Sequence, residues 1–591
     1  MAFLRNLLAA ILGFFIATGL IFLFFLLIAT AAASTDENIV LVKHNSILEI
    51  DLDLPLSDYG GEYSYVDLEF LNYENYTGLY HILDAIEYAK TDDDITGISI
   101  KNSTFIQGGF ANIKAIRDAI EDFKASGKFV YSYSDGYSQK DYYLASVADS
   151  VFLTPVGDLE LKGLSSEILF YKDLQDKTGI KLEVIRHGEY KSAVEPFLQN
   201  EMSPANREQI TELLSSIWKT IATDMANSRG IDFAQFNTIT DELGARTAEL
   251  AVANHIIDKA FYLDQYEELL KDASGLPAFE ELRTVNIYEY AEHISKKLFI
   301  GQKPNKIAVI FAQGEIQYAE GSNQIIGQDV MIKALREARE NDDVQGIVLR
   351  VNSPGGSALA SDIIWREVQV TQSVKPVYVS MGNYAASGGY YISCGAEKIF
   401  AEPNTITGSI GVFGLLPNIK ELANNWGINS QQVGTNKSSN GYSIFQGLTE
   451  EKRTEIQESI ENFYKTFVNK VAKGRNMTFE EVDAVARGRV WSGTDALDKG
   501  LVDELGGLNA TIEALANDKD ITEYSIETYP KYENITSLET LLGRFASSST
   551  LAEEQLEKEL GTETYTILKK LNELNQLKGI QARLPYELDI K

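Results

Sequence analysis

The sequence predicts an α/β protein built as a tandem duplication and preceded by one N-terminal transmembrane helix. Three observations predict it. An uncharged apolar run opens the chain, four sequence blocks recur in the same order about 250 residues apart, and strand-like apolar segments alternate with helical ones.

From Leu7 to Ala33 the chain carries no charge, behind a single Arg5. The run exceeds the ~20 residues that cross a bilayer and the roughly 7–15 of a cleavable signal's apolar core. Residues 1–33 are therefore expected to form a signal anchor. With Arg5 on the cytoplasmic side, everything after Ser34 is expected outside. The small residues of "ATAAAS" leave a long cleaved signal as the alternative.

The repeat is read by pairing segments. "DDITGISIKNSTFIQGG" (93–109) answers "DDVQGIVLRVNSPGG" (342–356), and "YYLASVADSVFLTPVGDLELKG" (142–163) answers "YYISCGAEKIFAEPNTITGSIG" (390–411). "NSILEIDL" (45–52) pairs with "NKIAVIFA" (305–312), and "AVANHIIDKA" (251–260) with "ALDKGLVDEL" (496–505). The reading divides the chain into an N-terminal repeat (34–300), a C-terminal repeat (301–545) and a Glu- and Lys-rich extension (546–591) expected to be helical. Within each repeat, strand–helix–strand rhythm predicts a parallel sheet with helices outside and a site at the carboxyl ends of the strands.

Composition narrows the chemistry. At 591 residues the chain is too long for one core. A net charge of −32 argues against a nucleic-acid partner. One cysteine, Cys394, excludes an internal disulfide, and there is no CxxC or HExxH pair for zinc. The five histidines, His44, His81, His187, His255 and His293, are scattered. Neither a metal nor a cofactor is expected.

The chemistry-bearing residue is read from "GNYAASGGYY" (382–391), where a serine stands among small residues between an apolar strand and a helix. Small residues also serve tight packing. The other repeat decides between these readings: Gln139 falls opposite Ser387, and "YSQKD" replaces "AASGG" while the flanks stay similar. A serine kept for packing would not be exchanged for a bulky amide, so Ser387 is read as a nucleophile. Gly355 and Gly356 of "VNSPGGS" and the N–H of Gly388 are candidate oxyanion donors.

No histidine follows His293, so the base is either His187 reaching across or a lysine. A lysine must lose its proton near neutral pH, which requires a dry pocket. Two lysines compete. Lys191 lies in the apolar "YKSAVEPF", with Glu189 and Glu195 nearby, whereas Lys437 lies in the polar "TNKSSNGYS". "TITGSIGVFG" (405–414) is a candidate edge for adding a peptide strand, with Thr407, Gly408, Ser409, Ile410 and Gly411 as substrate-binding residues; the alternative is a core strand.

"YKSAVEPF", "VNSPGGS", "GNYAASGGYYI", "TGSIGV" and "GLVD", in this order, resemble the signal peptide peptidase A family (SppA, protease IV, peptidase family S49) of the ClpP/crotonase-like superfamily, in its long, duplicated, membrane-anchored bacterial form. The resemblance implies two ClpP/crotonase-like domains and a Ser–Lys dyad. Ser387 would be its nucleophile and Lys191 its general base, with Lys437 as runner-up because single-repeat relatives carry the lysine beside the serine. It further implies hydrophobic signal-peptide remnants as substrate, a homotetramer, and an inner-membrane protein with its bulk in the periplasm. A crotonase-type acyl-CoA enzyme and a non-catalytic membrane scaffold are the competing functions.

Overall fold

The computed structural model describes residues 13–20, 42–59, 64–67, 72–75, 77–277, 279–300, 303–436, 438–531 and 581–584. Residues 1–44 and 45–591 are separate compact units. In the first, residues 13–20 are helical, and the rest of the apolar run lies outside the described residues. Among the described residues no helix is long and apolar enough to cross a membrane.

The larger unit holds the two repeats. In the first, six parallel strands stand in the order Lys259–Ala260, Ser150–Leu153, Phe129–Ser134, Ile95–Ile100, Ser46–Ile50 and Thr284–Asn286. In the second, Glu504–Leu505, Lys398–Ala401, Val377–Ala386, Val344–Ser353, Asn305–Gln313 and Tyr524–Tyr529 repeat that order, again all parallel. The matching strand order is what the four sequence blocks predict.

Burial explains the elements. Val344–Ser353 is buried along nearly its whole length, as a parallel strand covered on both faces must be. Helix Gln328–Glu340 buries Met331, Ala334, Leu335 and Ala338, the i, i+3, i+4, i+7 stripe, in one core with Ile310, Leu349 and Val379.

The second repeat adds two strands. Ile406–Gly408 runs parallel to Tyr384–Ala386 on one side and antiparallel to Val490–Ser492 on the other. Both its edges are paired, so Thr407 and Gly408 are core residues and the peptide-binding edge expected there is corrected. A few residues later, Val412–Asn418 pairs along its whole length with Lys181–His187 on one side and meets Gln581 at Phe413 on the other.

That strand belongs to a third sheet, in the order Ile325–Gly327, Glu315–Gln317, Gly355–Ser357, Gln581–Arg583, Val412–Asn418 and Lys181–His187. The first-repeat strand Lys181–His187 pairs antiparallel with Val412–Asn418 over seven residues. Of the extension expected to be helical, the described part, 581–584, is extended instead. Pairing holds it so: Gly355–Ser357 on one side and Phe413 on the other.

A buried ion pair also ties the repeats together. Arg350 Nη2 lies 2.8 Å from Asp58 Oδ1, with side chains 1% and 2% exposed. Arg350 also donates to Ser380 Oγ, the Met381 carbonyl and Asn112 Oδ1, so its fork is satisfied from both repeats.

Candidate active site

Strand Val377–Ala386 ends in two buried alanines, and the chain reverses at Ser387 into helix Gly388–Ser393. Ser387 has φ +54° and ψ −110°, a conformation that costs a non-glycine residue of order 1–3 kcal/mol. Its N–H donates to the Gly408 carbonyl at 2.8 Å, and its carbonyl accepts from Tyr391 N at 2.8 Å. A sharp strand-to-helix corner pinned on both sides projects the hydroxyl away from the sheet. The small neighbours serve packing too: a Cβ at Gly389 would come within 2.7 Å of the Ser353 carbonyl.

Lys191 reaches this corner from the other repeat. Strand Lys181–His187 delivers it, and the left-handed Gly188 (φ +96°) turns the chain against Arg487, where a Cβ would come within 2.3 Å of the carbonyl oxygen. Its stem runs between glycines. A Cβ at Gly488 would sit 2.6 Å from Lys191 Cβ, and one at Gly411 3.2 Å from its Cδ. At the end of this passage Nζ lies 2.9 Å from Ser387 Oγ, 3.0 Å from Ser409 Oγ and 3.1 Å from the Ser409 carbonyl.

Electrostatics set the proton. Lys191, Ser387 and Ser409 are 0% exposed. The Phe413 ring lies 5.9 Å from Nζ. Burial alone holds the lysine well below its ordinary value. The two glutamates near it in sequence are engaged elsewhere: Glu189 lies 3.8 Å from an Arg487 nitrogen, and Glu195 accepts from Asn206 Nδ2 at 2.7 Å. Lowering by burial together with hydrogen-bond distance to a hydroxyl is the geometry that a general base requires.

The glycines expected at the oxyanion come together. Gly355 (φ +99°) and Gly356 (φ +153°) occupy backbone that favours glycine, and a Cβ at Gly355 would lie 2.7 Å from Gly388 N. Ser409, expected to hold substrate, instead touches Lys191, as does the backbone around Gly411. Ile410 is buried in the core. His187 is engaged by Glu461 at 2.9 Å and stacks on Tyr464, and Lys437 lies outside the described residues. The sequence reading missed the brace behind the lysine. Gln209 Nε2 donates to Ser192 Oγ at 2.8 Å and to the Tyr190 carbonyl at 3.1 Å, and only its place on the inner face of helix Pro204–Arg229 hints at this.

Comparison with known proteins supplies the family. Peptidase family S49 matches twice, over residues 122–276 and 369–522. The chain belongs to peptidase family S49. The Clp protease family also matches over 301–407, the stretch that holds the glycine turn and Ser387.

Relatives within this S49 group cover most of both chains. Protease 4 of Haemophilus influenzae is 35% identical over 513 residues, 84% of this chain and 82% of its own. Protease 4 of Salmonella typhi is 36% identical over 460 residues, 76% of this chain and 74% of its own. The chloroplastic serine protease SPPA of Arabidopsis thaliana is 30% identical over 486 residues, 80% and 69%. A ClpP1 mutant structure from Listeria monocytogenes covers 37% of this chain and 99% of its own at 19% identity, with a TM-score of 0.25, too low to bear on the fold by itself. The protein is an S49 serine peptidase with a duplicated, ClpP-like α/β fold.

Proposed function

We propose that Ser387 is the nucleophile and Lys191 the general base of a membrane-anchored endopeptidase that degrades hydrophobic signal-peptide remnants. One observation carries the assignment: a fully buried lysine, lowered by burial, lies 2.9 Å from the hydroxyl at the strained corner.

Neutral Lys191 takes the Ser387 proton as Oγ attacks a peptide carbonyl. The N–H groups of Gly356 and Gly388 receive the oxyanion. The lysinium then protonates the leaving amine. Water, deprotonated by the same amine, releases the acyl group and restores both side chains. Ser409 is a positioning residue that holds Nζ through its hydroxyl and carbonyl.

The substrate and location rest on other observations. A groove between two strand rims takes an extended peptide by main-chain pairing. The uncharged run Leu7–Ala33 behind Arg5 supports an inner-membrane anchor with the bulk of the chain on the periplasmic side, next to such remnants. A homotetramer is part of the same proposal and rests on the family resemblance alone.

The test is turnover of an apolar fluorogenic peptide by wild type, Ser387→Ala, Lys191→Ala and Lys437→Ala, each checked for folding. Loss in the first two variants only is expected. Full activity in Ser387→Ala sinks the assignment, and survival of Lys191→Ala with loss in Lys437→Ala moves the base into the serine's own repeat.

A further inference from the structure

One buried side chain grips the surroundings of both Lys191 and Ser387 from behind. Gln209 stands on the inner face of helix Pro204–Arg229, in the first repeat, and is 1% exposed. Its Nε2 donates to the Tyr190 carbonyl at 3.1 Å and to Ser192 Oγ at 2.8 Å, and these two residues flank Lys191. Its Oε1 accepts from Val490 N of the second repeat at 3.3 Å.

Val490 sits where it bears on the serine. It stands opposite Gly408 where Ile406–Gly408 pairs with Val490–Ser492. The Gly408 carbonyl accepts the Ser387 N–H at 2.8 Å, and the Arg489 carbonyl accepts the Ser409 N–H at 2.7 Å. Gly488, in the same stretch, packs against the Lys191 stem. The nitrogen end of one carboxamide therefore holds the residues beside the lysine, and its oxygen end holds the strand that pins the serine.

The carboxamide is itself fixed. Nε2 also donates to Asn206 Oδ1 at 3.0 Å, and Asn206 Nδ2 donates to Glu195 Oε2 at 2.7 Å. Asn206 is 0% and Glu195 1% exposed. A buried amide with its donor and acceptor ends both engaged has one orientation. Methionine would fill the same space with neither bond, and asparagine would end one methylene short. Docking of the helix has other ties: Glu208 and Glu212 meet Arg489, and Ser216 Oγ lies 2.7 Å from Ser492 Oγ.

We propose that Gln209 is a positioning residue for peptide hydrolysis, setting the distance between Lys191 Nζ and Ser387 Oγ across the two repeats. This rests on the Ser387–Lys191 reading and deepens it. Without the brace the lysine stem shifts in its glycine passage, the amine loses its alignment with the hydroxyl, and water reaches it.

The experiment is the pH–rate profile of the full chain on an apolar fluorogenic peptide, with a melting temperature for each variant. Gln209→Met is expected to lower kcat by about 100-fold with KM unchanged. Its acidic limb is expected to move upward toward 10.5, because burial is what lowers Lys191 and a wetted amine holds its proton more tightly. The charged and titratable neighbours of this segment, Arg186, His187, Glu189, Glu195, Arg487 and Arg489, are the same in every variant, so a moved limb reports the amine's exposure. Gln209→Asn is expected to show the same shift with a loss of about 10-fold, and it decides the matter if the methionine variant does not fold. Ser216→Ala, which loosens the helix away from Lys191, is expected to keep kcat and the limb. Wild-type kcat in the Gln209 variants overturns the proposal, as does a loss with an unmoved limb, which is a packing role. A limb shift reproduced by Ser216→Ala also overturns it. An inactive Lys191→Ala beside fully active Gln209 variants removes the brace and leaves the dyad standing, whereas an active Lys191→Ala removes both.

Discussion

The two repeats place a strand-to-helix corner after the equivalent strand of their own matching sheets, and they finish it differently. In the first, Ser138 and Asp141 close a capping box, and Gln139 begins an ordinary helix while its amide bonds the backbone of Lys162 and Gly163. In the second, Ser387 holds a strained left-handed backbone with its hydroxyl against the buried amine of Lys191. One corner is relaxed and self-satisfied. The other is strained, and the amine that meets it, Lys191, comes from the relaxed repeat. The strand Lys181–His187 of the first repeat delivers Lys191 across to the second.

The comparison breaks most sharply by substitution at the corner. Ser387→Ala and Lys191→Ala should each lower peptide turnover by at least about 10³-fold, with little further loss in the double variant, because the two act as a unit. Gln139→Ser in Ser387→Ala should restore nothing, since Lys191 lies against the corner at position 387. Measurable rescue would mean that the two corners are interchangeable.

Next in size is the tie between the repeats. Asp58→Ala leaves Arg350 buried without its carboxylate and should cost about 3–5 kcal/mol in denaturant unfolding. An unchanged midpoint would show that the repeats do not lean on this pair.

A smaller effect belongs to Ser409→Ala, which should lower kcat by about 10–100-fold. The Ser409 hydroxyl favours the charged amine, so removing it should also move the acidic limb of the pH–rate profile downward. That limb should lie well below pH 10.5 in wild type, because only neutral Lys191 accepts the serine proton. An unmoved limb would make Ser409 a packing residue.

The smallest effect is on stability. Lys191 is lowered in the folded state, so between that value and 10.5 the unfolded chain binds the extra proton and stability rises with pH. Lys191→Met should remove this slope and raise the melting temperature near neutral pH while activity is lost. A lower melting temperature would mean that the three polar contacts outweigh desolvation.

Much of this was legible in the chain. The repeat blocks carried the strand order because each pairs a core strand with its own turn, and Ser387 stood out against Gln139. Lys191 stood in an apolar stretch, although the residues that meet its amine lie 196 and 218 positions away, at Ser387 and Ser409. Of the candidate edge 405–414, the stretch Ile406–Gly408 proved to be a core strand with both sides paired, because apolar character does not say whether a strand's hydrogen bonds are taken. Arg350 with Asp58 was invisible, since a buried ion pair 292 residues apart leaves no local pattern.

The third sheet carries a consequence for the order of events during synthesis. It joins strands from residues 181–187, 355–357 and 412–418, and the dyad itself spans 196 positions. Contacts this distant in sequence close late, after local helices and the first parallel sheet have formed. A chain still leaving the ribosome holds a lysine without its serine. On the proposed Ser387–Lys191 dyad, topology would withhold proteolytic capacity until both halves exist, and a half-made molecule would pass among other unfolded chains without cutting them.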